Sequence, residues 1–144
     1  MNEKKIIKLD IGCGKNKKEG YVGVDIDPES KADIVASALN LSFSDNSVDE
    51  IYSRHMVEHF TPDEAEKFFN EIYRVLKIGG KADLKIDCDW SKGRLLKKDP
   101  THKYRYSVKE IKNFVRKFSK FNVKKIFYLS DHAIKNKISV QLIK

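Results

Sequence analysis

Residues 9–28 read LDIGCGKNKKEGYVGVDIDP, and this stretch decides the fold. An apolar strand runs into a glycine turn, and a second apolar strand follows and ends in acids. Gly12 and Gly14 let the backbone turn sharply and approach a ligand, because no Cβ stands in the way. Asp25, eleven residues after Gly14, ends the second strand, where a carboxylate can accept hydrogen bonds from both hydroxyls of a ribose. A bare GxG is a weak signal. With Asp10 two residues before it and Asp25 after it, between two apolar runs, the spacing points to an α/β sheet that holds an adenosine-bearing ligand.

Outward from that stretch the chain reads as seven strands: Ile6–Ile11, Tyr21–Ile26, Asp33–Ala36, Val48–Ser53, Lys81–Ile86, Val123–Leu129 and Ile138–Ile143. The C-terminal pair has the look of a hairpin, so the expected sheet is Rossmann-like, mostly parallel, with an antiparallel edge strand. Thr61-Pro62-Asp63-Glu64 combines an N-cap, a proline at the first helical position and a capping-box glutamate. Ala65, Phe68, Phe69, Ile72 and Leu76 then recur at helical spacing, and Gly79-Gly80 is the expected stop. Ser107 and Glu110 form a second capping box, followed by an apolar stripe of Ile111, Phe114, Val115 and Phe118.

Lys15–Gly20 is the whole link between the first two strands, and about Asp27–Ala32 joins the second to the third. A helical crossover needs at least ~10 residues. The α/β fold is therefore expected to lack its usual helices between strands 1 and 2 and between 2 and 3. A sheet face left bare and apolar needs a partner. The apolar and tyrosine residues of strands 1, 2 and 4 suggest a homodimer through that face, the alternative being that the N-terminal residues or the 91–106 loop fold over it.

The same residues resemble motif I of the class I S-adenosylmethionine (SAM)-dependent methyltransferases, in a compact branch with a short GCG…VDIDP turn. The likeness continues in order. ADIVASALNLSFSDNSVDEIYSRHMVEH (32–59) is similar to that family's third strand, "LPF…NSFD" loop, fourth strand and "HVLEH" segment. EIYRVLKIGGKADLKI (71–86) is similar to the helix, Gly-Gly turn and fifth strand that follow. The resemblance implies SAM as cofactor and methyl transfer to an acceptor that it does not choose, small molecules being commonest in the branch.

Carried over by position, the resemblance implies that Asp10 sits near the methionine amine and that Gly12 and Gly14 present backbone to the methionine and ribose. Asp25 takes the ribose hydroxyls, and Ile26 packs on the adenine. Ser37 stands where an acid often receives the adenine amino group, so its hydroxyl or the Ala38 and Leu39 backbone has to substitute. Asn16 replaces a third glycine and can adopt a left-handed turn. His55 and His59 lie beside the expected transfer site, and imidazole has a suitable pKa for a base. Against this, His59 and Glu58 serve equally well to cap or orient the next helix. The Asn/Asp-Pro-Pro-Tyr/Phe signature of amino-directed DNA methyltransferases is replaced by Tyr52-Ser53-Arg54, which argues against exocyclic base amines as acceptor.

At 144 residues the chain reads as one domain. No apolar run approaches the ~18 residues of a membrane span. The N-terminal residues show no export signal, and two cysteines suit free thiols in a reducing compartment, so a cytoplasmic protein is expected. No Cys/His cluster has metal spacing. The net charge of +8 is divided. Residues 21–75 carry twelve acids against four Lys/Arg, and residues 91–125 carry thirteen Lys/Arg against two acids. The basic stretch, including Lys97 and Lys98, suits either a solvated surface or a nucleic-acid partner. Residues 87–107 leave the ligand-binding edge of the sheet and offer Trp90, Arg94, His102, Tyr104, Arg105 and Tyr106 as acceptor contacts. Cys88 has no visible base and reads as core. Two rival functions stand beside the enzyme: a non-catalytic SAM-binding module and a nucleic-acid-directed methyltransferase.

Overall fold

A computed structural model describes residues 5–88, 100–130 and 133–144; at 88, 125–130 and 133–136 only the backbone is described. Seven strands form one sheet: β1 (Lys8–Ile11), β2 (Val22–Asp25), β3 (Ile34–Val35), β4 (Val48–Arg54), β5 (Leu76–Cys88), β6 (Lys120–Ser130) and β7 (Ala133–Ile143). Their spatial order is β3-β2-β1-β4-β5-β7-β6. The first five strands are parallel, and β7 runs antiparallel between β5 and β6, so the antiparallel pair closes one end of the sheet.

Two helices are described, α1 (Pro62–Val75) and α2 (Val108–Val115), each opened by the expected capping box. Phe69 of α1 stacks on Phe114 of α2, and Tyr73 of α1 stacks on Phe118 just beyond α2. One face of the sheet supplies Leu9, Ile11, Ile51, Leu84, Ile86, Ile138 and Val140, which join Phe68, Phe69, Ile72, Ile111 and Val115 in a single buried core. Helix α1 ends at Val75, before Gly79-Gly80. Its carbonyls at Arg74 and Val75 accept hydrogen bonds from the backbone N–H groups of Asn46 and Ser47, and Leu76 is already extended. The two glycines instead lie in β5, where the pairing with β4 shifts register between Val48 and Glu50. Gly79 takes a φ of +81°, and a Cβ on Gly80 would meet two backbone carbonyls.

As expected, no helix joins β1 to β2 or β2 to β3. The other face of the sheet, however, is not apolar. It carries Lys8 and Asp10 on β1, Glu50, Tyr52 and Arg54 on β4, Lys81, Asp83, Lys85 and Asp87 on β5, and Lys137, Ser139 and Gln141 on β7, with Val35 on β3 and Ile143 on β7 as exposed apolar residues among them. Oppositely charged neighbours pair there: Lys8 with Glu50 at 3.1 Å and Lys85 with Asp83 at 3.0 Å. The β1–β2 link lies against this face. The Lys17 stem sits where a Cβ on Gly23 would be, and its ammonium reaches both Asp33 oxygens at 2.8 Å. The Lys18 ammonium lies 4.5 Å from the Tyr21 ring centre and 4.2 Å from that of Tyr52, while Tyr21 donates its hydroxyl to Glu50. Lysine stems and cation–π contacts do here what an amphipathic helix does elsewhere. The expectation that this face is bare and apolar is thereby corrected, since charged and polar side chains dominate it and several pair with one another.

The link between β3 and β4 is also free of helix, and Arg74 holds it down. Its guanidinium donates to Glu71, to Asp45 and to the carbonyls of Leu41 and Phe43, all within 3.0 Å. Arg74→Met is expected to cost about 1–2 kcal/mol in urea unfolding, limited because a third of the side chain meets solvent. A variant as stable as the parent would show that these bonds merely replace water.

Candidate functional site

The site forms at the C-terminal edge of the parallel strands. After β1 the chain turns at Gly12 and Gly14, with φ of +72° and +53°. The turn is tied to β2, because Gly12 N–H donates to the Val24 carbonyl at 2.8 Å and Gly14 N–H to Asp25 Oδ2 at 2.8 Å. The second Asp25 oxygen accepts from Asp27 N–H at 2.9 Å. Each carboxylate oxygen has two lone pairs, so one on each is left for a ligand. A Cβ on Gly14 would meet nothing within 4 Å, so the space above the turn is open. Ile26, next to Asp25, is 68% exposed, an apolar side chain laid bare at the rim of that space.

Asp10 lies beneath the turn, 3% exposed, and its Oδ2 accepts from Lys18 N–H at 2.7 Å. Burial raises its carboxyl above the usual range, against the pull of the Lys18 N–H and the charges of Lys18 and Arg54. Asn16 does not use the left-handed conformation open to it; the positive φ angles of this loop fall on Gly12, Gly14 and Gly20. Of the adenine-side group, Ser37 Oγ accepts from Leu39 N–H at 3.2 Å. Ser37 and Leu39 thus brace one another, and Ala38 is buried at 4%.

The two histidines part company. His55 sits in a left-handed turn, φ +57°, just past β4. Its Nδ1 lies 2.8 Å from Asp87 Oδ2 and 3.3 Å from Glu58 Oε1, and its Nε2 lies 3.2 Å from the Lys137 ammonium. Hydrogen bonds to Asp87 and then Glu58 push its pKa up to about 9, against burial and Lys137. Neither protonation state offers a lone pair to an acceptor. Protonated His55 has none, and neutral His55 keeps Nδ1–H on Asp87 and turns Nε2 to Lys137. His59 Nδ1 meets the Thr101 carbonyl at 3.2 Å and hydroxyl at 3.1 Å, and its ring stands edge-on to His102. Its Nε2 enters no hydrogen bond among the described residues.

Glu58, Asp87 and Lys137 are what sequence reasoning missed here. Glu58 does not cap α1, whose N-terminus Thr61 and Glu64 satisfy. It is fully buried, and its Oε1 also accepts from Asp87 N–H at 3.3 Å. The ligand-type atoms of His55, Glu58 and Asp87 lie within 4.8 Å of one another, close enough for one metal ion. Lys137, 3.8 Å from Asp87, already brings a cation to the group. The arrangement reads as an ion-pair network.

A group with a raised pKa stabilises the fold fully below its unfolded value of about 6.5, and that contribution is lost as pH rises through about 9. The His55 side chain is one-third exposed, so about 1–2 kcal/mol is the expected size. Urea unfolding at pH 6 and pH 9.5 checks it: the parent should lose this much more stability than His55→Gln. Equal losses would mean that the imidazole titrates normally.

The segment that follows closes over the 3-10 turn Val57–His59, with the Lys103 and Tyr104 N–H groups donating to the Glu58 carbonyl. Tyr106 is buried and donates to the Phe60 carbonyl at 2.7 Å, so it packs rather than faces an acceptor. Tyr104 is partly exposed and donates to Glu110 at 2.6 Å. Trp90, Arg94, Lys97, Lys98 and the Cys88 side chain lie outside the described residues. Part of the basic stretch meets the acidic one, Lys103 pairing with Glu64 and Lys117 with Glu66. The separation of charge along the sequence is thus partly undone where α1 and α2 pack together.

The profile of the methyltransferase-domain family matches residues 9–82. Phosphoethanolamine N-methyltransferase 2 of Caenorhabditis elegans is 47% identical over 47 residues, which are 33% of this chain and 10% of that protein. A SAM-dependent methyltransferase from Archaeoglobus fulgidus superposes with a TM-score of 0.75 at 20% identity, covering 95% of this chain and 86% of that one. Haemonchus contortus phosphoethanolamine N-methyltransferase 2, solved with phosphomonomethylethanolamine and S-adenosylhomocysteine, superposes with a TM-score of 0.73 at 19% identity, covering 99% of this chain and 50% of that one. Likeness at this level of identity speaks for the fold.

Proposed function

Because the chain belongs to the class I SAM-dependent methyltransferases, we propose that it transfers a methyl group from SAM to a small-molecule acceptor. The observation that carries this reading is the open left-handed turn at Gly12–Gly14, braced on the Asp25 carboxylate and rimmed by exposed Ile26. A nucleoside fits it: backbone approach at the turn, free lone pairs on Asp25 for ribose hydroxyls, and an apolar side chain for a base.

SAM brings a methyl group on a sulfonium, already activated toward attack. The protein's task is then to hold donor and acceptor in line and, where the acceptor loses a proton, to receive it. On this reading Asp10 faces the ligand's ammonium, and Ala38 and the Ser37 hydroxyl meet the adenine edge. His55, engaged on both ring nitrogens, orients the end of β5 through Asp87, and any base role falls to His59, whose Nε2 enters no hydrogen bond among the described residues. A small acceptor is supported by the short match to the nematode phosphoethanolamine enzyme and by the absence of the DNA-methyltransferase signature from residues 52–54. A cytoplasmic location goes with the buried free thiol of Cys13.

The engagement of His55 favours one second reading, a module that binds SAM without turning it over. Calorimetry with S-adenosylhomocysteine, followed by a search for labelled product in cell extract supplied with methyl-labelled SAM, separates the two. Binding with product supports the enzyme, binding without product supports the module, and no binding removes both.

A further inference from the structure

Strand β4 ends at Arg54, and the register that sets Ile11 beside Ser53 makes β1 and β4 leave the sheet together, one into Gly12 and the other into Arg54. Arg54 is exposed, and its cross-strand neighbour is another cation, Lys85. Lys85 is itself engaged, by Asp83 at 3.0 Å and by the Ser139 hydroxyl at 2.8 Å. The acid further along β5, Asp87, is likewise taken, held by His55 and Lys137. Among the described residues the Arg54 guanidinium therefore enters no hydrogen bond and no ion pair, yet it is near enough to Asp10 for the two charges to act on one another.

An unpaired cation and a buried acid thus flank one glycine turn. Asp10 is 3% exposed with one oxygen bound to Lys18 N–H, and the space above Gly14 is open. The complement of that pair is a zwitterion with an ammonium and a carboxylate on the same carbon, which is the α-amino-acid end of SAM. We propose that Arg54 receives the ligand's carboxylate while Asp10 faces its ammonium, making Arg54 a specificity residue for ligands that keep the carboxylate. This deepens the SAM reading above and rests on it. Guanidinium suits the role, because its planar fork matches a carboxylate through two parallel N–H···O bonds, which an ammonium cannot reproduce.

The test compares two ligands on the full chain by calorimetry: S-adenosylhomocysteine, and decarboxylated SAM, which keeps the amine and lacks the carboxylate. Arg54→Met should weaken S-adenosylhomocysteine by about 5–30-fold and change decarboxylated SAM by less than about 3-fold, with Arg54→Lys in between for the first ligand. The parent should prefer S-adenosylhomocysteine, and Arg54→Met should lose most of that preference. Equal weakening of both ligands, or no change in either, overturns the assignment and leaves Arg54 as a solvated strand-end charge. A parent chain that binds neither ligand would sink the SAM reading itself, a result distinct from either of these. Thermal melts run alongside confirm folding, which an exposed side chain with no partner among the described residues should not disturb.

Discussion

Gly12→Val is expected to abolish measurable binding of S-adenosylhomocysteine, a loss of more than about 100-fold. Two separate costs meet at this position. The backbone stands at φ +72°, a region that a β-branched residue enters only with strain. A Cβ there would also lie 2.6 Å from Met56 Sδ and 3.3 Å from its Cγ, so Met56 would have to move. Met56 precedes the 3-10 turn at Val57–His59, and the displacement would reach the loop after β4 as well as the turn after β1. Gly14→Ala provides the contrast. At φ +53° it bears backbone strain, but its Cβ would enter open space. If that space belongs to the ligand, Gly14→Ala should lose more affinity than its thermal midpoint alone explains. Calorimetry and melting curves on both variants decide this; parent-like affinity in a folded Gly12→Val protein would remove the turn from the site.

Asp25→Ala is expected to weaken S-adenosylhomocysteine by about 1.5–3 kcal/mol, roughly 10–150-fold, the scale of hydrogen bonds to a charged group. The carboxylate has two duties in the structure, because it anchors Gly14 N–H and Asp27 N–H before any ligand arrives. Part of the loss is therefore a looser turn. Asp25→Asn separates the duties: its amide keeps the shape and one acceptor oxygen while removing the charge, so an intermediate affinity is expected. A folded Asp25→Ala variant with unchanged affinity would take the ribose role away from this residue.

What could be read from the sequence was local and periodic. The strand–turn–strand of residues 9–28 was legible because glycine spacing and an acid at a strand end act through the immediate neighbours. Both capping boxes were legible for the same reason, since Thr61 with Glu64 and Ser107 with Glu110 close hydrogen bonds within four residues. The missing crossover helices followed from link length alone. Even the polarity of the bare face was present in the alternation of β5, where Lys81, Asp83, Lys85 and Asp87 interleave with Ala82, Leu84 and Ile86. The apolar residues of strands 1, 2 and 4 do not share that face, since Leu9, Ile11, Val24 and Ile51 lie on the core side.

Only the tertiary structure could decide what depended on distant partners. Helix α1 stops at Val75 because Asn46 and Ser47 claim its last carbonyls, a fact about the β3–β4 link rather than about the helix. His55 carries the residue type of a base, but its chemistry is set by Asp87 and by Lys137, 82 residues away, which the antiparallel pairing of β5 and β7 brings together. An imidazole's pKa and its free lone pairs belong to its surroundings, and those surroundings exist only once the sheet has formed. By itself the sequence determined the fold and the strand–turn–strand on which the proposed nucleoside site rests, because short-range backbone geometry suffices for both. The packing of the sheet decided which histidine is engaged on both ring nitrogens, which arginine lacks a partner among the described residues and which face carries the charges, because charge and hydrogen bonding act across strands.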